Sequence, residues 1–435
     1  MTLPMSKDKT LAFDVAIVGG GIIGCSTAWH LAERGIKVAV FERGTVASEQ
    51  SSRAWGFIRQ QGRHEAEVPL AAEANRMWIQ LTERFGLEAT QFTPGGILVP
   101  AETDADEERV VSGHEVAAKF QLSTKILTRQ QIRDLVPQLA GNWRSALYTP
   151  GDAHGDPGLS TKTIANVARA AGAEIFENTP VFEVDVAGGA VTGLRTAAGY
   201  CRATTVLLAN GIGAPWLASQ LGLSLPIQIT KSSVGATSPA TPFTKVAMWG
   251  PHVAYRPRPD GSFTLGNGYR GVGMDYEITV DSFRSLRHFL PAYRRNWKLL
   301  KLTLGRDFFY QIRAKTSRDA AALPFPEPIP NLRKIRSNLR HFREIFPHLK
   351  EIPLDATWAG RIDLTPDAIP IIDQPDPSRR LFIAAGFSGH GFALGPSIGK
   401  QMAQWIATGG TTLNLKPFRL ARFEEGNAQR AQQAL

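Results

Sequence analysis

Three glycines at positions 19, 21 and 24 follow a short apolar run, residues 13–18 (FDVAIV). Glycines at this G-x-G-x-x-G spacing do no chemistry themselves, but they let a backbone approach something anionic. The run reads as a buried parallel strand. Helical spacing continues through Ala28, Leu31 and Ala32, with Gly35 as its stop, and residues 37–41 form a second strand ending at Glu42. In such a βαβ unit a pyrophosphate docks at the helix amino terminus, where backbone N–H groups and the helix dipole face it. Gly19 permits the tight turn, Gly21 removes the side chain that would block the phosphates, and Gly24 lets the helix close on the strand. Ile22 and Ile23 open that helix. Glu42, 18 residues past Gly24, can accept a hydrogen bond from a ribose 2′-OH and would repel a 2′-phosphate. The pattern predicts FAD or NAD, not NADP.

The elements that must position this site fit an α/β chain. Its 435 residues exceed one ordinary core, so two interleaved domains are expected. With 43% hydrophobic and 20% charged residues, disordered, collagenous and disulfide-scaffold classes are excluded. Cys25 and Cys201 alone build neither a disulfide framework nor a zinc site, and they fit a reducing, cytosolic setting. The start, MTLPMSKDKTLAF, lacks a signal peptide's apolar run, and no window approaches 18 apolar residues, so no transmembrane helix is expected. A net charge of +10 suits nucleic acid, an anionic membrane or an acidic substrate without choosing among them.

Residues 45–61 read as a polar loop entering a helix, and 65–86 as a helix carried by Leu70, Ala74, Trp78 and Leu81. The stretch 101–149 is expected to be helices of a second domain. Residues 181–186, 191–196 and 200–203 read as a small antiparallel meander, and 206–209 as a separate buried strand. Residues 226–270 read as polar strands of a larger sheet, 333–346 as a basic helix, 381–385 as a strand and 401–406 as a helix. Segment 282–318 holds ten basic residues against the single acid Asp307, with Phe289, Trp297, Phe308 and Phe309 interleaved. That composition suits either a solvated cap or a patch on anionic lipid. It also resembles single-strand nucleic-acid surfaces, but no RRM, KH, zinc-finger or helix-turn-helix signature accompanies it, and nucleic acid is not expected.

The GGGIIG start with Glu42, VLLANGIGAPWLASQLG at 206–222, and WAGRIDLTPDAIPII with GFSGHGF towards the end together resemble the FAD-dependent amino-acid and amine oxidoreductases of the D-amino-acid oxidase and sarcosine oxidase type. The resemblance covers nearly the whole chain. ASEQSSRAW at 47–55, PDGSF at 259–263 and the segment ending in GRDFF are most similar to the membrane-associated L-amino-acid deaminases, whose extra cap module meets the membrane.

That resemblance implies a Rossmann-like FAD domain from residues 10–90, 150–225 and 358–412, interleaved with a substrate domain from 91–149 and 226–357 built on a mixed, largely antiparallel sheet. Arg43, Ser51, Ser52, Arg53, Ala54, Trp55 and Gly56 would run beside the pyrophosphate and flavin. Val181 would meet the adenine, and Ala209, Asn210, Gly211, Trp216 and Gly360 would complete the cradle. Gly386, Ser388, Gly389, Gly391, Phe392 and Gly395 would bring backbone to the flavin ring. The following helix would aim its positive end at the edge that becomes anionic on reduction. His390 either tunes the flavin or is structural. No cysteine follows Cys201, so FAD is expected to be non-covalent.

The implied reaction is oxidation of an amino acid's C–N bond by hydride transfer to FAD, giving an imino acid that hydrolyses to a 2-oxo acid and ammonia. An arginine fork suits the substrate carboxylate. Candidates are Arg270 and Arg256, with Gln61 as a second contact and Trp249 and Tyr255 lining the pocket. Secondary amines, N-methyl or cyclic imino acids and 2-hydroxy acids are alternative substrates. A pyridine-nucleotide dehydrogenase without flavin and a non-catalytic nucleic-acid- or membrane-binding protein are the other readings. A quinone or respiratory-chain acceptor, and a cytoplasmic site on the inner face of the membrane, follow from the same resemblance.

Overall fold

The structure, a computed structural model, describes residues 11–270, 275–278, 280–296, 303–304, 306, 308–309, 312–313 and 326–428. The rest of the basic segment (297–302, 305, 307, 310–311 and 314–318) lies outside the described residues.

The apolar run forms the strand Leu11–Val18, parallel to Val38–Phe41 on one side and to Gly199–Leu208 on the other. Parallel neighbours on both sides require both faces to be covered. Val15, Ile17, Val38 and Val40 enter one core with the helices Ile22–Ala32, Pro157–Ala170 and Gly391–Thr408. Ala16, Val18, Ala39 and Phe41 enter the opposite core with Val181, Val191, Leu194 and Leu217. Among the described residues this sheet has eight strands, including Glu174–Phe176, Ile371–Asp373 and Leu381–Ala385. Residues 200–203 and 206–209 are not separate strands. They belong to one strand, Gly199–Leu208, whose first half pairs antiparallel with Ala190–Thr196 and whose second half pairs parallel with Leu381–Ala385. Thr204 and Thr205 interrupt the apolar run but not the backbone ladder.

A ten-stranded sheet of described residues stands beside it. Gln228–Thr237 pairs along its length with Leu354–Leu364, and Phe263–Asn267, Val253–Pro257, Ala247–Trp249 and Ile97–Ala101 continue the order. The boundary expected at 358 falls inside a strand of this sheet. The helices expected over 101–149 are present as Asp104–Lys119 and Arg129–Leu135, each opened by a capping box (Thr103 with Asp106, Thr128 with Gln131). Lys125–Thr128 and Ser145–Thr149 in that stretch are strands, because they extend the edge that Ile97–Ala101 leaves open. The basic helix, Leu332–Ile345, lays Ile335, Leu339 and Phe342 on the sheet, at the spacing of one helical face. No helix among the described residues is long and apolar enough to cross a membrane.

The last long helix begins at Gly391, ten residues earlier than apolar spacing suggests. Its glycines explain the early start. A Cβ on Gly395 would lie 2.3 Å from Ile22 Cγ1, and one on Gly399 would lie 2.3 Å from Ser26 Cβ. Gly395 therefore serves contact between helices, not approach to a ring. Gly399→Val should cost about 2–3 kcal/mol in urea unfolding, since backbone atoms of Ser26 and Thr27 block the new side chain. An unchanged midpoint would mean that the two helices are not in this contact.

Candidate cofactor and substrate site

The first strand ends in a turn that only glycine can make. Gly19 has φ +107°, and a Cβ there would sit 2.6 Å from the Ala209 carbonyl oxygen. A Cβ on Gly24 would sit 2.0 Å from the Gly19 carbonyl oxygen, so the helix rests directly on the strand end. Gly21 is the N-cap and offers no side-chain cap. The Glu42 carboxylate accepts from the N–H groups of Gly20 (2.7 Å) and Gly44 (2.8 Å). Burial pushes the Glu42 carboxyl up, while those two N–H groups pull it down.

From this turn a cavity of about 690 Å³ extends between the two sheets. Gly19, Gly21, Ile22, Ile23, Glu42 and Arg43 line one end. Ser51, Arg53, Ala54, Trp55 and Gly56 line one wall; Val181, Ala209, Asn210, Gly211 and Trp216 line another. Gly360, Ser388, Gly389, His390, Gly391 and Phe392 close the far side. Ser51 Oγ accepts the Ile22 N–H at 2.9 Å, tying the loop to the first helix. Arg43 makes a two-pronged bond to Glu49 (2.7 and 2.6 Å), and Arg53 pairs with Glu327 at 2.8 Å. Gly24 stands behind the cradle and serves helix packing, the role its spacing predicts. Two residues expected in the cradle also stand behind it: Ser52 donates to the Glu49 carbonyl and faces Gly158, and Gly386 (φ +70°) donates its N–H to Asp363.

Asp363 organises the glycine loop. Its buried carboxylate accepts from Gly386 N–H (2.7 Å) and from Gln50 Nε2 (2.9 Å), and Gln50 Oε1 accepts from Ile212 N–H (3.0 Å). One side chain thus holds three separate segments at the cavity. Burial pushes its carboxyl up; bonds from Phe387, Gln50 and Gly386 oppose that. An acid between the apolar residues Ile362 and Leu364, at the buried end of its strand, is the sequence signal for it.

The substrate candidates scatter. Trp249 lines the cavity, with Tyr269 against it edge-on at 6.0 Å. Arg270 also lines it, but its guanidinium is engaged: Nε donates to Asp106 Oδ1 (3.0 Å), Nη2 to Thr103 Oγ1 (2.7 Å) and to Asp106 Oδ2, and Nη1 to Glu102 (3.2 Å). Tyr255 does not line the cavity. It is buried among Phe263, Phe342 and Phe346, with ring centroids 5.2–5.9 Å apart, because its strand alternation aims it at the basic helix. Arg256, its neighbour on the opposite face, is fully buried behind Gly56 and donates to Thr264 Oγ1 at 3.2 Å. Burial, then Arg258, pulls it down to about 10. Gln61 is buried as well, donating to the Ile97 carbonyl at 2.6 Å.

Two unanticipated arginines line the cavity instead. Arg59 lies over the Trp249 ring at 4.6 Å, and its buried Nη1 has no hydrogen-bond partner among the described residues. Arg63 donates its Nε to the Arg59 carbonyl at 3.2 Å, leaving buried Nη1 without a partner. Burial and the neighbouring Arg63 pull Arg59 down to about 9, so it stays charged at neutral pH. No periodicity marks these two residues in a polar loop.

The cradle fits a dinucleotide. A side chain at Gly21 would project to within 3.0 Å of Ser51 Oγ, into the space the phosphates need, and buried Asn210 Oδ1 has no partner among the described residues. Two helices, Ile22–Ala32 and Gly391–Thr408, start at the cavity with no side-chain cap, as an anionic ligand requires.

Comparison with known proteins agrees. The family profile described as FAD dependent oxidoreductase (DAO) matches residues 14–405. Glycine oxidase of Geobacillus kaustophilus is 25% identical, over 95% of this chain and 98% of that enzyme. The beta subunit of sarcosine oxidase from Arthrobacter is 27% identical, over 96% of this chain and 92% of that subunit. The structure of L-amino acid deaminase from Proteus myxofaciens in complex with anthranilate superposes with a TM-score of 0.87, covering 96% of both chains at 23% identity, and so shares the fold. With the family match spanning most of its length, the chain belongs to the DAO family of FAD-dependent oxidoreductases, and FAD is its cofactor.

Proposed function

We propose that this protein oxidises the C–N bond of an amino acid, yielding an imino acid that water hydrolyses to a 2-oxo acid and ammonia. Bound FAD supplies the two-electron acceptor for the Cα hydride. FAD is held without a covalent link, residues 10–90, 150–225 and 358–412 holding it, and 91–149 with 226–357 forming the substrate side.

The observation that carries the reading is Arg59. A charged guanidinium whose buried Nη1 has no hydrogen-bond partner among the described residues lines the same cavity as the glycine cradle, with its Cζ 4.6 Å from the centre of the Trp249 ring. A carboxylate is the ligand that its planar fork matches. Arg270, saturated by Glu102, Thr103 and Asp106, shapes the cavity without offering a free fork. Trp249 and Tyr269 give the substrate's side chain an apolar wall. The chain's residues bind the carboxylate, exclude water and orient Cα–H.

The likeness to a sarcosine oxidase subunit supports a second reading, in which the donor is a secondary or N-methyl amine. Product analysis separates the two: ammonia release identifies primary amino acids, and methylamine release identifies N-methyl substrates.

The cap supports a peripheral place on the inner, cytoplasmic face of the membrane, where a quinone would reoxidise the flavin. Phe283 is 65% exposed and Phe309 64%, with Leu286 and Leu290 also exposed. Arg284, Arg287, Arg306 and Arg313 flank them in sequence. Cations with apolar tips suit an anionic interface.

Arg59→Ala should raise the substrate Kd about 100-fold, the scale of a lost charge-assisted pair, with flavin still bound. Arg270→Ala should change it less than about threefold if its existing partners are its role. The check is anaerobic titration of flavin absorbance with L- and D-amino acids, N-methylglycine and proline; the reverse ranking would return the carboxylate site to Arg270. Joint Phe283→Ser and Phe309→Ser substitution should weaken co-sedimentation with phosphatidylglycerol vesicles about tenfold. Equal sedimentation by both proteins would remove the cap from the membrane.

A further inference from the structure

The cavity wall carries a pair that substrate capture leaves unused. His390 Nδ1 lies 2.9 Å from Glu67 Oε1. The Glu67 side chain is 0% exposed, and its Oε2 has no partner among the described residues. The His390 side chain is 10% exposed, and it lines the cavity. A carboxylate only accepts, so Nδ1 donates, and Nε2 keeps a lone pair as the ring nitrogen left for a ligand. Burial holds the imidazole below its ordinary value; Arg63 and Arg59 act in the same direction, against Glu67. On Glu67, burial raises the carboxyl, but His390, Arg63 and His64 outweigh it and hold it below the usual range. The contact therefore sets a carboxylate, supported by Nδ1–H donation and by Arg63, against an imidazole whose charging burial opposes.

The carboxylates that line the cavity are engaged. Glu42 accepts from Gly20 and Gly44, Glu49 from Arg43, and Asp363 from Gly386 and Gln50. The Tyr269 hydroxyl donates to the Pro100 carbonyl at 2.6 Å, and burial pushes it up. An amino acid binds as a zwitterion, whereas C–N oxidation needs its nitrogen lone pair.

We propose that His390 takes a proton from the substrate's ammonium group and that Glu67 is its positioning residue. The proposal rests on the amino-acid reading above. One ammonium N–H bond breaks, its electron pair stays on nitrogen, and an Nε2–H bond forms. The imidazolium is then paired with Glu67, which was ionised beforehand.

The test uses FAD-loaded protein and 2-aminoisobutyrate, which has no α-hydrogen to lose, with acetate as a carboxylate without ammonium. Binding is read from the flavin absorbance between about pH 5 and 9. The affinity for 2-aminoisobutyrate should fall up to about tenfold per pH unit below the His390 transition, because imidazolium and ammonium repel, while acetate shows no such fall. Glu67→Gln removes the charge that favours imidazolium, so the acid limb should move to lower pH. His390→Asn should abolish it. A limb unmoved in Glu67→Gln, or kept in His390→Asn, overturns the proposal. Should both variants lose FAD, the wild-type protein decides, since equal acid limbs for acetate and 2-aminoisobutyrate overturn it too. If no amino acid perturbs the flavin while FAD stays bound, the amino-acid reading fails first, and this proposal with it.

Discussion

The site depends on backbone lying directly on backbone at the first turn. The helix Ile22–Ala32 meets the ends of two parallel strands with no side chain between: Gly24 faces the Gly19 carbonyl, and Gly19 faces Ala209. Gly395 and Gly399 repeat the device by setting the carboxy-terminal helix against Ile22 and Ser26. Two helices from opposite ends of the chain are thereby locked side by side, and both begin at the same cavity. Their dipoles converge there, which suits a ligand that carries a pyrophosphate and gains negative charge on reduction. A single methyl group at any of these glycines would force the helices and strand ends apart.

Features set by near neighbours were legible in the sequence. The glycine spacing, the strand Val38–Phe41 that leads to Glu42 and the apolar stripe of Leu332–Ile345 are each visible within or beside one element. What escaped depends on partners far along the chain. Arg270 and Arg59 look alike as residues, and the difference is that Asp106, 164 positions away, reaches one of them. Tyr255 and Arg256 alternate as a strand must, yet alternation does not say which face lies behind Gly56 and which meets Phe342 and Phe346. The early start of the last helix was hidden because its glycines look like a loop until the partner helix is in place.

Asp363 shows how the two sheets share one site. It lies on Leu354–Leu364, a strand of the larger sheet, yet its carboxylate fixes the glycine loop after Leu381–Ala385 and, through Gln50, the turn after Gly199–Leu208. Enclosed and bonded on both oxygens, it acts as a structural joint between cofactor and substrate sides. Removing it would leave N–H groups buried without acceptors, a cost of about 1–3 kcal/mol each.

The charges at the substrate end are unbalanced in a way that suits a zwitterion. Arg59 and Arg63 are cations; the Glu67 carboxylate beside His390 offsets one charge, and burial pushes Asp152 up to about 7, so it offsets the other only in part at neutral pH. Buried like charges are expensive, and a substrate carboxylate supplies the missing negative charge. The same two guanidiniums disfavour a substrate ammonium, which promotes loss of its proton. His390 feels them as well, but it alone of the two basic nitrogens has a carboxylate at its back. Glu67 therefore opposes the loss of proton affinity that burial and the two guanidiniums impose on His390, and its complete burial keeps that interaction from being screened by solvent.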